Sequence, residues 1–364
     1  MAGLKPRPGI LEIQPYVGGK STVPGIAGRR IIKLASNESA LGPSPRAIAA
    51  YRDAVTRIDR YPDGSAVDLR TALAEHHGLD SCQIICGNGS DELLSLVARA
   101  YAGPGDDVLI SQFGFLMYPI IAHSVGARPV VARETNLTAD IDALLGKLTP
   151  RTRVVFLANP NNPTGSYVSE TELRRFVSQL PENAILVIDA AYAEFVRDDD
   201  YVSGRSLVES YDNVIMTRTF SKAYGLAGLR LGWAYCSPSV ADVLNRLRGP
   251  FNVTTPALAA GLAALEDVEH TELVVRHNDT FRPWLSDALS KLGLTVYPSA
   301  ANFVLVGFPT NSGRDAESAD RFLAAKGIIP RTTANYGLPD CLRISVGSEA
   351  DLRELAAALG EFMA

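Results

Sequence analysis

The chain holds 364 residues, more than one hydrophobic core usually serves, so two domains are expected. Hydrophobic residues make up 46% and charged residues 21%, the balance of an ordinary globular protein in water. A formal net charge of -5 excludes the basic footprint that nucleic acid or an anionic membrane surface requires, and leaves small molecules as the expected partners.

Residues 1–45 are rich in glycine and proline and hold one short strand-like run, Ile31 to Leu34. They read as an extended arm that must pack on something. The opening MAGLKPRPG lacks the apolar core of a secretory signal, and the longest apolar stretch, from about Val108 to Ala122, is interrupted by Gln112 and too short for a bilayer. A cytoplasmic location is expected. Cys82, Cys86, Cys236 and Cys341 are scattered without ligand spacing, so reduced structural thiols and no metal are expected.

An alternation of Ala, Ile and Tyr predicts a helix from Pro45 to about Val55, and a second follows from Val67 to His77 after the loop Arg60-Tyr61-Pro62-Asp63. The short strand Ile84 to Cys86 leads into Gly87-Asn88-Gly89-Ser90-Asp91-Glu92 and an apolar helix from Leu93 to Tyr101. A glycine turn opening a helix leaves backbone N–H groups free for an anion, and Ser90 also reads as a plain N-cap with two acids in the first turn. Strands and helices then alternate: Asp107 to Ile110, a helix after Phe115, Arg128 to Ala132, a helix over 138–147, Arg153 to Ala158, a helix over 169–180, Ala184 to Ile188 and Val214 to Phe220. Several of these strands are continuous apolar runs, as in a mostly parallel sheet covered on both faces, where ligands collect at the carboxyl ends of the strands.

Those ends carry the chemistry. Arg153 to Ala158 stops at Asn159-Pro160-Asn161-Asn162-Pro163-Thr164-Gly165, a turn that two prolines keep out of helix and strand. Ala184 to Ile188 runs into Asp189, a carboxylate that is costly after five apolar residues unless it meets a cation or several donors. Tyr192 follows three residues on. Val214 to Phe220 stops at Ser221-Lys222, with Arg230 eight residues later among Gly225, Gly228 and Gly232. An amine, the hydroxyls of Thr219 and Ser221 and a guanidinium fit a cofactor with both an aldehyde and a phosphate, which is pyridoxal phosphate.

A long helical region from about Pro256 to Leu292 carries the chain into a smaller lobe with strands at Leu294 to Tyr297, Asn302 to Val306, Ile328 to Arg331 and Leu342 to Val346, and helices over 315–326 and 349–362. Arg343 inside a strand is expensive unless it binds a carboxylate, and Arg331 stands in a similar position.

In this order, the Gly-rich helix start, NPNNPTG, Asp-x-x-Tyr, Ser-Lys with Arg eight later and a late strand arginine resemble the aminotransferases of pyridoxal-phosphate fold type I over nearly the whole chain. Ile13-Gln14-Pro15-Tyr16-Val17, Asn37-Glu38, Arg60-Tyr61-Pro62-Asp63 and Tyr336-Gly337-Leu338-Pro339 narrow the resemblance to the set that acts on histidinol phosphate. The resemblance implies an α/β fold: an arm over 1–45 packing on the small domain or a partner, a large cofactor-binding domain over 46–255 with a mostly parallel sheet, and a smaller α+β domain over 256–364.

It further implies that Lys222 condenses with the cofactor aldehyde, that Asp189 holds the pyridine nitrogen, and that Tyr192 and Asn162 bind the phenolic oxygen. Ser90, Asp91, Thr219, Ser221 and Arg230 surround the cofactor phosphate, and Phe115, or else Phe113, stacks on the ring. Tyr61 reaches the phosphate of a partner subunit in a homodimer. Arg343 takes an α-carboxylate, and Tyr16 and Arg331 face a substrate phosphate. The implied reaction moves the amino group of histidinol phosphate to 2-oxoglutarate by ping-pong kinetics, in histidine biosynthesis.

The usual Asn-Glu-Asn-Pro run reads Asn37-Glu38-Ser39-Ala40 here, and Ser111-Gln112-Phe113-Gly114 is an unusual lead-in to the ring. These departures bear on substrate range, so an aromatic or broad-range aminotransferase and a phosphothreonine decarboxylase stand as alternatives. A regulator that keeps the fold as a cofactor sensor needs a DNA-binding domain ahead of it, for which a 45-residue arm leaves no room. A dinucleotide enzyme is disfavoured because neither glycine cluster matches G-x-G-x-x-G.

Overall fold

The computed structural model describes residues 4–20, 22, 30–310 and 313–364; the parts of the expected arm at 1–3, 21 and 23–29 lie outside the described residues. The largest sheet has seven strands, in chain order β1 (Ile84–Gly87), β2 (Asp107–Ser111), β3 (Arg128–Ala132), β4 (Thr152–Ala158), β5 (Ile185–Asp189), β6 (Val214–Thr219) and β7 (Gly232–Tyr235). They lie side by side as β1-β7-β6-β5-β4-β2-β3, and only the pairs made by β7 are antiparallel.

Successive side chains of a strand point to opposite faces, so a sheet covered on both sides needs apolar residues at every position. β4 and β5 follow that rule. Val155, Leu157, Leu186 and Ile188 lie in one core, and Val154, Phe156, Ile185 and Val187 in the other. Each such burial contributes roughly 1.5–3 kcal/mol, which is what fixes the strand register. That register sets Asp189 beside Ala158 on one side and Thr217 on the other, at the edge where the apolar run ends.

Three helices precede or follow β1: α1 (Pro45–Ala54), α2 (Val67–His77) and α3 (Ser90–Tyr101). Ser44 caps α1 by accepting from the backbone of Arg46 and Ala47. The N-cap of α3 is Gly89 at φ 79°, not Ser90 as expected, and Ser90 is the first helical residue. Gly232 on β7 permits this approach of strand to helix: a Cβ there would meet Ser90 N at 2.4 Å.

The smaller lobe is an antiparallel sheet of β8 (Thr295–Tyr297), β9 (Phe303–Gly307), β10 (Arg331–Thr332) and β11 (Cys341–Ser345), in the order β8-β9-β11-β10. The arm reaches it directly. Ile32–Lys33 pairs in parallel with Ile328–Ile329, and Ile32 and Leu34 sit in the small-lobe core.

Three expectations need correction. The helix expected over 138–147 is shorter, Ile141–Leu145, because Thr138–Ala139 pairs with Glu134–Thr135 and Asp140 then caps the helix. The single helical region after Pro256 is two helices, Thr255–Glu266 and Val268–Ser290, broken at Asp267, whose carboxylate accepts from the backbone of His270. The first of them packs in the core of the large lobe through Ala257, Ala260, Ala264 and Leu265. Its Gly261 lets Leu231 come in, where a Cβ would meet Leu231 Cδ2 at 2.2 Å. Finally, Ile328 to Arg331 is not one strand: the two halves either side of Pro330 pair with different partners.

Candidate active site

A cavity of about 360 Å³ lies where the carboxyl ends of β4, β5 and β6 face the small lobe and the arm. Of the residues singled out in the sequence, all but Tyr61 and the alternative ring partner Phe113 line it. They divide into three groups.

At one end, the first turn of α3 supplies Ser90 and Asp91, the last position of β6 supplies Thr219, and the loop after it supplies Ser221 and Arg230. Arg230, in the left-handed region at φ 54°, donates through Nη1 to Ser221 Oγ at 3.2 Å and through Nη2 to Asp91 Oδ2 at 3.1 Å. Gly89 leaves room for this guanidinium, since a Cβ there would lie 2.5 Å from Nη2. The Thr219 hydroxyl donates to Ser221 Oγ at 3.0 Å. Backbone donors, two hydroxyls and a guanidinium at a helix N-terminus form a seat for a phosphate-sized anion. Asp91 supports that seat by holding Arg230, since its own carboxylate repels an anion.

In the middle, Asp189 accepts from Tyr118 Oη at 3.0 Å and from Thr217 Oγ1 at 3.2 Å. Burial pushes its carboxyl up to about 6; the bond from Tyr118 opposes this, Asp91 reinforces it, and Thr217 and Lys222 hold it down. Lys222 donates to the carbonyl of Ser36 at 3.2 Å. Burial pulls its ammonium down to about 8, helped by Arg343 and Arg230 and opposed by Glu38 and Asp91. Such an amine is a ready nucleophile near neutrality. Tyr192 presents its ring edge to Phe303, with 5.3 Å between centroids, and burial holds its phenol well above the usual range. Arg218, on the opposite face of β6, pairs with Glu194 at 2.7 Å and so ties that strand to the loop carrying Tyr192.

On the small-lobe sheet, Arg343 and Arg331 face each other across β11 and β10, and both are buried. Arg343 donates to Asn162 Oδ1 and, at 2.7 Å, to the carbonyl of Ala35, while its Nε has no partner among the described residues. Arg331 donates to the carbonyl of Val17 at 2.7 Å. Tyr16 stands edge-on to Phe115, 6.2 Å between centroids. Two buried guanidiniums with no carboxylate partner among the described residues are suited to anions from outside.

Phe115 lines the cavity; Phe113 instead gives its backbone to Glu134 and Asn161. Tyr61 is 83% exposed, stacked on Phe251 with 4.6 Å between centroids, and does not line this cavity. Two functional contacts escaped the sequence. Tyr118 reads as one more apolar helix residue, and Asn37 as part of a family run; only the fold brings them to Asp189 and Tyr192.

A mostly parallel sheet with a buried acid at one strand end, a lysine just beyond the next in the same cavity, and a cluster of hydroxyls and a guanidinium at a helix start defines a class, and residues 29–359 match the family described as aminotransferase class I and II, to which the chain belongs. Over 363 residues it is 57% identical to the histidinol-phosphate aminotransferase of Paramagnetospirillum magneticum, covering 100% of this chain and 99% of that one. It is 54% identical to the protein of the same name from Rhodospirillum centenum, with the same coverage of each. Its fold is similar to the crystal structure of histidinol-phosphate aminotransferase from Sinorhizobium meliloti in complex with pyridoxal-5'-phosphate, at TM-score 0.89 and 32% identity over 100% of this chain and 98% of that one.

Proposed function

We propose that the chain binds pyridoxal phosphate and transfers the amino group of L-histidinol phosphate to 2-oxoglutarate, giving imidazole-acetol phosphate and L-glutamate, a step of histidine biosynthesis. The observation that carries this reading is that one cavity gathers an anion seat at Arg230, an acid and an amine at Asp189 and Lys222, and two further buried arginines that face each other across the small-lobe sheet. The first seat suits a cofactor phosphate. The outer arginines suit the anionic groups of the substrates, the phosphate of the amino donor and the carboxylates of the acceptor.

The residues fit this cofactor. When bound, it supplies an electron sink for the pair released from the substrate Cα–H bond. Asp189 holds the pyridinium nitrogen, exchanging a buried, strained ionisation for a cationic partner. Lys222 would hold the aldehyde carbon and would move the proton at the substrate Cα, for which an amine with its proton affinity brought near neutrality is suited. Asn162 and Tyr192 hold the phenolic oxygen, Phe115 covers the ring, and Ser90, Thr219, Ser221 and Arg230 hold the phosphate. Arg343 takes the α-carboxylate of the keto acid, and Tyr16 with Arg331 takes the donor phosphate.

The reading includes a cytoplasmic homodimer in which Tyr61 enters the partner's cavity. The exposure of Tyr61 beside Phe251 supports this, and among the described residues no helix is long and apolar enough to cross a membrane.

Purified protein supplied with pyridoxal phosphate, L-histidinol phosphate and 2-oxoglutarate is expected to release glutamate with parallel double-reciprocal lines, the pattern of ping-pong kinetics. Absence of glutamate contradicts the proposal. Faster turnover of phenylalanine or tyrosine redirects it to a broad-range aminotransferase, and carbon dioxide released from a phosphorylated amino acid without any keto acid redirects it to a decarboxylase.

A further inference from the structure

Asn37 lies in the arm segment between the two lobes, buried and at φ 53°, a left-handed conformation that asparagine tolerates better than most residues. Its amide is held from both sides. Ser345 Oγ, at the end of β11, accepts from Asn37 N at 2.8 Å and sits 3.0 Å from Asn37 Oδ1, while Asn37 Nδ2 sits 3.0 Å from Tyr192 Oη. The carbonyl of Asn37 accepts from Asn302 Nδ2 at 3.0 Å.

This network determines which way the amide faces. The Ser345 hydroxyl already accepts the backbone N–H, and its own proton goes to Asn37 Oδ1. A flipped amide would aim a second donor at Ser345 and leave that buried hydroxyl proton without its acceptor. The NH₂ group therefore faces the phenol, and Tyr192 Oη is an acceptor in this contact.

We propose that Asn37 is a positioning residue for Tyr192: by donating to Tyr192 Oη it occupies the phenol's acceptor side and turns the phenolic O–H into the cavity, toward the phenolic oxygen of the cofactor. This rests on the reading that the cavity binds pyridoxal phosphate. The same segment anchors the other principal groups through its backbone, with Arg343 on the carbonyl of Ala35 and Lys222 on the carbonyl of Ser36. Asn37 thereby links the small lobe, through Asn302 and Ser345, to the proton that Tyr192 presents.

Replacing Asn37 by aspartate is the sharpest test. A carboxylate accepts and cannot donate, so it draws the Tyr192 proton away from the cavity. A hydrogen bond donated to the cofactor's phenolic oxygen stabilises that oxygen as an anion and lets the bound cofactor lose its proton at lower pH; losing the donor raises the pH midpoint of the cofactor's absorbance. The other groups acting on Tyr192, namely Arg343 from β11, Asp189 from β5 and Tyr336 from the turn before β11, are the same in both proteins, and Lys222 is retained; the added carboxylate charge raises the midpoint as well, and Asn37→Gly, which adds none, separates the two effects.

Asn37→Asp is expected to raise that midpoint by about one pH unit and lower kcat about 10-fold, with the KM for the amino donor changed less than about two-fold. Asn37→Gly keeps the backbone conformation and removes the amide, and is expected to shift the midpoint in the same direction by less. It decides the matter where the aspartate variant does not fold. A midpoint in Asn37→Gly that matches the unaltered protein overturns the proposal, whatever the aspartate variant shows. If the unaltered protein develops no pH-dependent cofactor absorbance, the functional reading fails first and separately.

Discussion

Lys222→Ala is expected to slow amino transfer by on the order of 10⁴-fold or more, because one side chain serves both as the covalent attachment point and as the base and acid that moves the Cα proton. The fold is expected to survive. Lys222 sits where burial disfavours its charge, and its hydrogen bond goes to a backbone carbonyl, not to a carboxylate partner. Removing a buried ammonium relieves that penalty and leaves the Ser36 carbonyl facing a cavity that water can enter. Since the folded-state proton affinity lies below that of the unfolded lysine, the unfolded chain binds more protons between about pH 8 and the ordinary lysine range, so the cofactor-free native protein gains stability as pH rises through that window. The alanine variant lacks this gain. Thermal unfolding without cofactor is thus expected to show the variant equal to or above the native protein at pH 7, with its advantage shrinking at high pH; a large loss of stability at pH 7 contradicts this account of the site.

Asp189→Asn is expected to lower kcat by about 10²–10³-fold, the range seen when one preorganised electrostatic contact to a developing charge is removed, and yet to stabilise the cofactor-free protein at pH 7. The carboxyl is pushed up to about 6 inside the fold, above an ordinary aspartate. The native state therefore holds a proton that the unfolded state has lost between about pH 4 and 6, and stability falls as pH rises across that window. Above it the full penalty is present, on the order of 3 kcal/mol at most. Asparagine can still meet Tyr118 and Thr217 without that penalty. The difference in unfolding temperature between variant and native protein is expected to grow from pH 4 to 6 and then level off. Added pyridoxal phosphate reverses the order, because only the carboxylate meets the pyridinium as an ion pair. A difference that stays flat with pH removes Asp189 from the role given to it.

These expectations trace to features partly visible before any coordinates. Asp189 stands out because it ends an apolar strand with a charge, and Lys222 because it follows a strand end with glycines and Arg230 close behind; a parallel sheet sends such strand ends to one edge. Arg343 stands out as a charge inside a strand. Tyr118 and Asn37 do not, since a tyrosine in an apolar helix and an asparagine in an arm acquire meaning only from what lies across from them. The break at Asp267 is hidden because no glycine or proline stands between Leu262 and Arg282 to mark it, and the packing of Thr255–Glu266 on the large-lobe core, where Gly261 receives Leu231, joins residues 30 apart. Tyr61 illustrates another limit: in one chain it lies on the surface against Phe251, and its proposed role depends on a second copy.

The most direct test of the central claim is chemical trapping. Protein loaded with pyridoxal phosphate, reduced with borohydride and digested with a protease is expected to carry the reduced cofactor on the peptide containing Lys222. A label on any other lysine, or no label on protein that still transfers the amino group of histidinol phosphate, contradicts the assignment on which the rest depends.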